Sequence, residues 1–166
     1  IISFMDTMLS EIEKNQFNPE MQSVGALLNH LKENWERDYA WITINIEESG
    51  KIEYFLSEDV LQVVFDNLIL NSIQQNEKKG HLYITICVSL DDDVLKFSYS
   101  DDGVGLDRKY QNSPMKILEV HETTRKNGHG LGMWIVNNTV NMSGGVISKI
   151  RGDKGFSIDF SIGGVL

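Results

Sequence analysis

Residues 81–105 read HLYITICVSLDDDVLKFSYSDDGVG, and the class of fold turns on them. Apolar and polar residues alternate in both HLYITICVSL and VLKFSYS, the period of strands with one buried face. The acidic run Asp91–Asp93 joins them as a turn, so the pair is expected to be antiparallel. Upstream, Ser57 reads as an N-cap, with Glu58 and Asp59 in the first turn, where the helix dipole favours anions. A helix is expected over 58–76, its core stripe being Val60, Leu61, Val64, Phe65, Leu68 and Ile73.

Further upstream, WITINIE (41–47) alternates as a strand, Ser49-Gly50 turns it, and KIEYF (51–55) reads as a short returning strand. A helix from about Glu20 to Asp38 carries Val24, Leu27, Leu28, Leu31 and Trp35 on one stripe. NQFNPE (15–20) separates it from an amphipathic helix over 3–16, with Phe4, Met5, Met8, Leu9 and Ile12 at helical spacing. Downstream of residue 101, periodicity weakens through 102–127, a long loop of the kind that is usually functional. A helix follows at about 131–143 and ends at Gly144-Gly145. Two last strands, about 146–151 and 155–162, meet at the GDKG turn. Paired strands separated by helices imply an α+β, two-layer domain: a mixed, mostly antiparallel sheet of about five strands with about three helices on one face.

The 166 residues are 41% hydrophobic and carry a formal net charge of −9. That length suits one domain with its own core. The acidic balance argues against nucleic acid and against an anionic membrane surface as partners, because both require clustered Lys and Arg. No apolar run is long enough to span a bilayer. The single cysteine, Cys87, reads as a buried structural thiol compatible with a reducing compartment. The chain opens without an initiator Met, so it is expected to be a piece of a longer protein. Residues 1–18 read as the tail of a preceding segment, and 19–166 as the domain.

Three motifs carry chemistry. In TTRKNGHGLGMWIV (123–136), Gly128, Gly130 and Gly132 alternate just before a helix. Each glycine costs a helix about 1 kcal/mol against alanine. In return the backbone can approach a ligand closely, beside the unpaired N–H groups of the helix start. That combination suits phosphate, though it also suits a hinge or tight packing. Arg125 and Lys126 precede it as candidate cations, and His129 sits between two of the glycines. In DDGVG (101–105), Asp101 leaves its strand as an ionised acceptor, and Gly103 and Gly105 allow a sharp turn. Such a carboxylate suits a donor such as an adenine amino group, whereas DDG alone is most often a plain turn. In DNLILNSIQQ (66–75), Asn67 and Asn71 share a helix face, and Gln74 extends the line. An amide oxygen suits Mg²⁺, which takes phosphates and water as its other ligands. A plain polar face is the alternative.

In the order N-x-x-x-N, D-x-G-x-G, G-x-G-x-G, with a long loop between the last two, the array resembles the GHKL superfamily of ATP-binding domains, the Bergerat fold. Gyrase B, the ninety-kilodalton heat-shock chaperone, histidine kinases and MutL belong to it. The resemblance covers residues 57–162 and reaches weakly back to Val24. It implies that Asn71 coordinates Mg²⁺, that Asp101 bonds the adenine amino group, and that Gly103 and Gly105 turn beneath the base. It implies further that Gly128, Gly130 and Gly132, with His129 and Leu131 among them, line the triphosphate. Residues 106–127 correspond to the ATP lid, and Ser157 to an adenine-side threonine. Leu118, Val120 and His121 replace aromatic residues usual near the lid end, and Gln74 stands where a lysine is common.

Hydrolytic members place a glutamate four residues before the Mg²⁺ asparagine; here that residue is Asn67, and an amide cannot act as a general base. Asp66, its neighbour, lies about 100° round the helix. The pattern therefore resembles the catalytic domain of a sensor histidine kinase. That implies transfer of the γ-phosphoryl of ATP to a histidine on a separate dimerisation domain, a response regulator downstream, and a cytoplasmic domain. None of His30, His81, His121 and His129 has the setting of a phosphoacceptor. A GHKL ATPase clamp and a non-catalytic nucleotide-sensing module are the alternatives.

Overall fold

A computed structural model describes residues 19–119 and 132–163 of the chain. The expected helix over 3–16 therefore lies outside the described residues, as do Arg125, Lys126, Gly128, His129, Gly130 and Leu131. Chain order is β1 (Glu20–Ser23), α1 (Val24–Asp38), β2 (Ile42–Glu48), β3 (Glu53–Leu56), α2 (Glu58–Gln75), β4 (Leu82–Asp91) and β5 (Val94–Asp101). A single-turn helix α3 (Arg108–Gln111) and a 3₁₀ turn (Pro114–Leu118) follow, then α4 (Gly132–Met142), β6 (Ile147–Arg151) and β7 (Ser157–Ile162).

The main sheet has five strands in the order β2-β4-β5-β7-β6. Only β2 and β4 run parallel, joined across α2; the other neighbours are antiparallel. Period-two alternation points Ile84, Ile86, Val88, Leu95, Phe97, Tyr99, Ile158, Phe160 and Ile162 to one face. There they form one core with Leu28, Val64, Phe65, Leu68 and Val136 of the helices. Phe65 of α2 packs edge-on against Phe97 and tilted against Phe160, at centroid distances of 5.2 and 5.8 Å. The expected two-layer α+β architecture is thus the observed one. The β4–β5 turn places Asp92 and Asp93 at φ 51° and 62°. Both values suit a tight hairpin, and Asp tolerates that region better than most residues.

Local expectations fail in three places. The helix expected from Glu20 begins at Val24: Ser23 caps it, its hydroxyl accepting the Ala26 N–H at 3.4 Å, and Glu20–Ser23 is strand instead. KIEYF does not return along β2. Ile52 is drawn into the core, its N–H donates to the Glu48 carboxylate at 2.9 Å, and β3 pairs with β1 in a separate two-stranded ribbon. Cys87 is not a core thiol. The alternation that buries Ile86 and Val88 turns Cys87 to the opposite, open face, half-buried, 3.0 Å from Glu47 Oε2. Burial and the Glu47 carboxylate push its thiol up to about 11. Only the thiolate is nucleophilic, so alkylation at pH 8 should run about a hundredfold slower than at a free cysteine. The rate should climb with pH until about 11, as followed by mass spectrometry.

Candidate functional site

Consecutive residues of α2 reach the two sides of one site. The Asn71 side chain lies against the first residue of α4: a Cβ on Gly132 would stand 3.2 Å from Asn71 Nδ2 and 3.3 Å from Oδ1. The next residue, Ser72, turns toward β5 and donates its hydroxyl to Asp101 Oδ2 at 2.6 Å. Helix α2 therefore touches both the D-x-G-x-G loop and the described edge of the third motif.

Asp101 is 8% exposed and holds its neighbours in place. Its Oδ1 accepts the backbone N–H groups of Gly103 at 2.9 Å and Phe156 at 3.1 Å. Ser72 Oγ also lies 2.6 Å from Tyr99 Oη, which donates to the Leu68 carbonyl at 3.1 Å. Complete burial, lowered in part by the Ser72 bond and reinforced by the Asp101 charge, raises the Tyr99 pKa well above its ordinary value. Tyr99 is accordingly a neutral hydroxyl whose one proton is shared between Ser72 Oγ and the Leu68 carbonyl, while the Ser72 proton goes to the carboxylate. Removing the Ser72 hydroxyl leaves a buried carboxylate oxygen without that donor. Ser72→Ala is expected to cost about 1.5–3 kcal/mol in a denaturant titration, the range for hydrogen bonds to charged groups.

The D-x-G-x-G loop is clamped from two sides. Asn76, buried just past the end of α2, donates to the Ser72 carbonyl at 2.7 Å and accepts the Val104 N–H at 2.8 Å. Gly103 packs so closely on that amide that any Cβ would overlap it. Gly105 adopts φ +77° with the Gly152 carbonyl where a Cβ would be. From the other side, the β6–β7 turn accepts Leu106 N–H on the Gly152 carbonyl at 2.9 Å, and Asp101 N–H on that of Phe156 at 2.9 Å.

Part of the expected lid falls within the described residues. Residues 106–119 are folded, and Tyr110, Ile117 and Leu118 join the core cluster; 120–127 lie outside the described residues. Asn67 turns its amide inward, Nδ2 donating to the Val63 carbonyl at 2.7 Å. Asp66 faces α1, accepting from Trp35 Nε1 and from Gln62, both at 2.8 Å. Gln74 is exposed on α2. Ser157 pairs with Ser100, and strand alternation puts its side chain on the face opposite that of Ile158 and Phe160. Its neighbour Phe156 stands beside Asp101, through its backbone.

Sequence reasoning missed Ser72, Asn76, Gly152 and the Phe156 N–H. Two of these act through backbone atoms, which no side-chain pattern announces. Asn76 left one signal, a second amide five residues after Asn71.

This fold and this convergence of motifs are those of the histidine kinase-, DNA gyrase B- and HSP90-like ATPase family, whose model matches residues 57–163, and the chain belongs to it. It is 29% identical over 112 residues to the sensor histidine kinase WalK of Bacillus subtilis, covering 64% of this chain and 18% of WalK. It is 26% identical over 165 residues to the autoinducer 2 sensor kinase/phosphatase LuxQ of Vibrio parahaemolyticus, covering 92% of this chain and 19% of LuxQ. The chain thus spans about a fifth of the length of either relative. Among solved structures, the mycobacterial sensor histidine kinase MprB superposes with a TM-score of 0.70 at 16% identity, over 87% of this chain and 96% of MprB. Full-length ShkA in complex with AMPPNP superposes with a TM-score of 0.72 at 20% identity, over 87% of this chain and 31% of ShkA. Both share the fold. No helix among the described residues is long and apolar enough to cross a membrane.

Proposed function

We propose that this chain is the ATP-binding catalytic domain of a sensor histidine kinase, presenting Mg-ATP for transfer of the γ-phosphoryl group to a histidine on a separate dimerisation domain. The observation that carries this reading is the placement of adjacent Asn71 and Ser72. One meets the start of α4, and the other holds the carboxylate of the D-x-G-x-G loop.

The donor set fits Mg²⁺. Asn71 offers a neutral amide oxygen beside the N-terminus of α4. Among the described residues no group of three or more His, Cys, Asp or Glu could hold a metal ion by itself. A site of this kind takes its remaining ligands from nucleotide phosphates and water. The ion, when bound, neutralises charge on the β- and γ-phosphates. The chain's own residues position the substrate. Asp101 accepts the adenine amino group on lone pairs its protein donors leave, and the turn at Gly103 and Gly105 carries the base. The start of α4 at Gly132 faces the phosphates with its unpaired N–H groups. Gly128, His129, Gly130 and Leu131 extend that cradle, with Arg125 and Lys126 supplying positive charge. Phosphoryl transfer of this type rests on positioning and electrostatics.

Two contacts favour kinase over ATPase clamp. Asn67 cannot activate water, and Asp66 is engaged by Trp35 and Gln62 on the side toward α1. The isolated chain is therefore expected to bind ATP in a Mg²⁺-dependent way yet release no phosphate above background in a steady-state assay. Incubation of the full parent protein with γ-labelled ATP should give acid-labile label on a histidine outside this chain. From there it should pass to a cytoplasmic response regulator. Tight ATP binding without labelled protein would favour the nucleotide-sensing module instead, and sustained phosphate release the ATPase clamp.

A further inference from the structure

Helix α2 runs out into the segment NEKK (76–79), which holds the D-x-G-x-G loop at two points. The first grip is the buried Asn76 amide, which accepts the Val104 N–H at 2.8 Å. The second lies on the other side of Gly103 in the chain. Asp102 Oδ1 accepts the Tyr83 N–H at 2.9 Å and stands 3.5 Å from Lys79 Nζ. The Asp102 N–H donates back to the Tyr83 carbonyl at 3.1 Å, just past the last β4–β5 pair, Ile84 with Asp101. Lys79 is itself anchored. Its backbone N–H donates to the Asn76 carbonyl at 3.0 Å, and its ammonium to the His81 carbonyl at 3.2 Å. One short segment therefore fastens both neighbours of Gly103, Val104 by an amide and Asp102 by a charge.

The charge matters because of what lies beside it. Asp101 and Asp102 place two carboxylates at consecutive positions, one turned to Ser72 and the other to Lys79. A nucleotide would bring further negative charge to the same loop. With Lys79 gone, the Asp102 carboxylate would push against Asp101 and against the polyanion, because like charges repel. Both members of the pair are partly exposed, with 34% and 46% of their side chains open, so the pair adds little to overall stability and is weakened by salt. What it can do is set a position. We infer that Lys79 and Asp102 are positioning residues for the nucleobase. The pair fixes where the loop leaves β5, and hence where the Asp101 carboxylate and the Gly103 turn meet the base. Lys79 acts through Asp102 and not on the phosphates, which lie beside Asn71, about two turns back along α2. This inference rests on the nucleotide reading above.

The test is calorimetry on the whole 166-residue chain, with Mg-ATP and separately with inorganic triphosphate. Lys79→Met is expected to weaken ATP about two- to fivefold at low salt, the range for a partly exposed ion pair, and to leave triphosphate unchanged. Lys79→Arg should restore ATP affinity. At about 1 M salt, where the screening length is about 3 Å, the altered and unaltered chains should converge. In an Asp102→Asn background, which keeps an acceptor for the Tyr83 N–H, Lys79→Met should cost nothing further. Equal losses for ATP and triphosphate would make Lys79 a phosphate-side cation and overturn the inference. A lowered melting temperature with unchanged ATP affinity would also overturn it, leaving the pair a structural tie. If Asp101→Ala separates ATP from triphosphate and Lys79→Met does not, this inference alone falls. An unaltered chain that binds no ATP removes the nucleotide reading and this inference together.

Discussion

Asp101→Ala will weaken ATP binding by roughly ten- to a hundredfold, the loss expected for one charge-assisted hydrogen bond. Inorganic triphosphate will lose far less. The carboxylate lies at the end of β5, 8% exposed, where it already accepts from Ser72, Gly103 and Phe156. The alanine variant strands these three donors, each costing about 1–3 kcal/mol when left unsatisfied and buried. A fall in melting temperature will therefore accompany the loss of affinity. Calorimetry at low temperature, where the variant stays folded, separates the two effects. Asp101→Asn sharpens the test: it keeps one acceptor oxygen for the loop but turns an NH₂ group toward Ser72 or toward the base. Equal losses for ATP and triphosphate would remove the adenine role and leave Asp101 a purely structural anchor.

Asn71→Ala will abolish the Mg²⁺-dependent part of nucleotide affinity. Asn71 is half-buried beside Gly132 and lies outside the buried stripe of α2. The measurement is a pair of titrations, with Mg²⁺ and with EDTA. In the unaltered chain the two affinities should differ widely; in the variant they should coincide. A variant that retained the full Mg²⁺ effect would transfer the metal role elsewhere. Asn67→Ala is the control one turn earlier on the same helix, where Nδ2 of the amide donates to the Val63 carbonyl.

How legible this molecule was depends on which physics wrote each part. The strands β4 and β5 and the helix α2 were legible because a half-buried face imposes a period, and Leu82–Val88 and Val60–Ile73 follow it. The parallel pairing of β2 with β4 was not legible, since strand direction is set by the crossover and not by alternation. The same blind spot made KIEYF look like a hairpin return, when the side chain of Glu48 takes the N–H that a ladder would have used. Cys87 was misplaced for a simpler reason. It sits one residue from a buried neighbour, and a shift of one position in a strand exchanges faces. At the candidate site, Asn71 and Asp101 were singled out because side-chain chemistry marks them. The clamp around them was missed because the Phe156 N–H and the Gly152 carbonyl are common to every residue type.

On the proposed reading Asp101 has two duties, one to the base and one to its own loop, and that bears on pharmacology. A competitive inhibitor that donates a hydrogen bond to this carboxylate would grip a group that also fastens Ser72, the Gly103 turn and the start of β7. A cell cannot readily discard that contact to gain resistance, because doing so unfastens the loop its own substrate needs. Escape would be steered toward exposed residues, such as Val104 in the same loop and Gln74 on α2, and an inhibitor kept within the footprint of adenine would leave such changes little to act on.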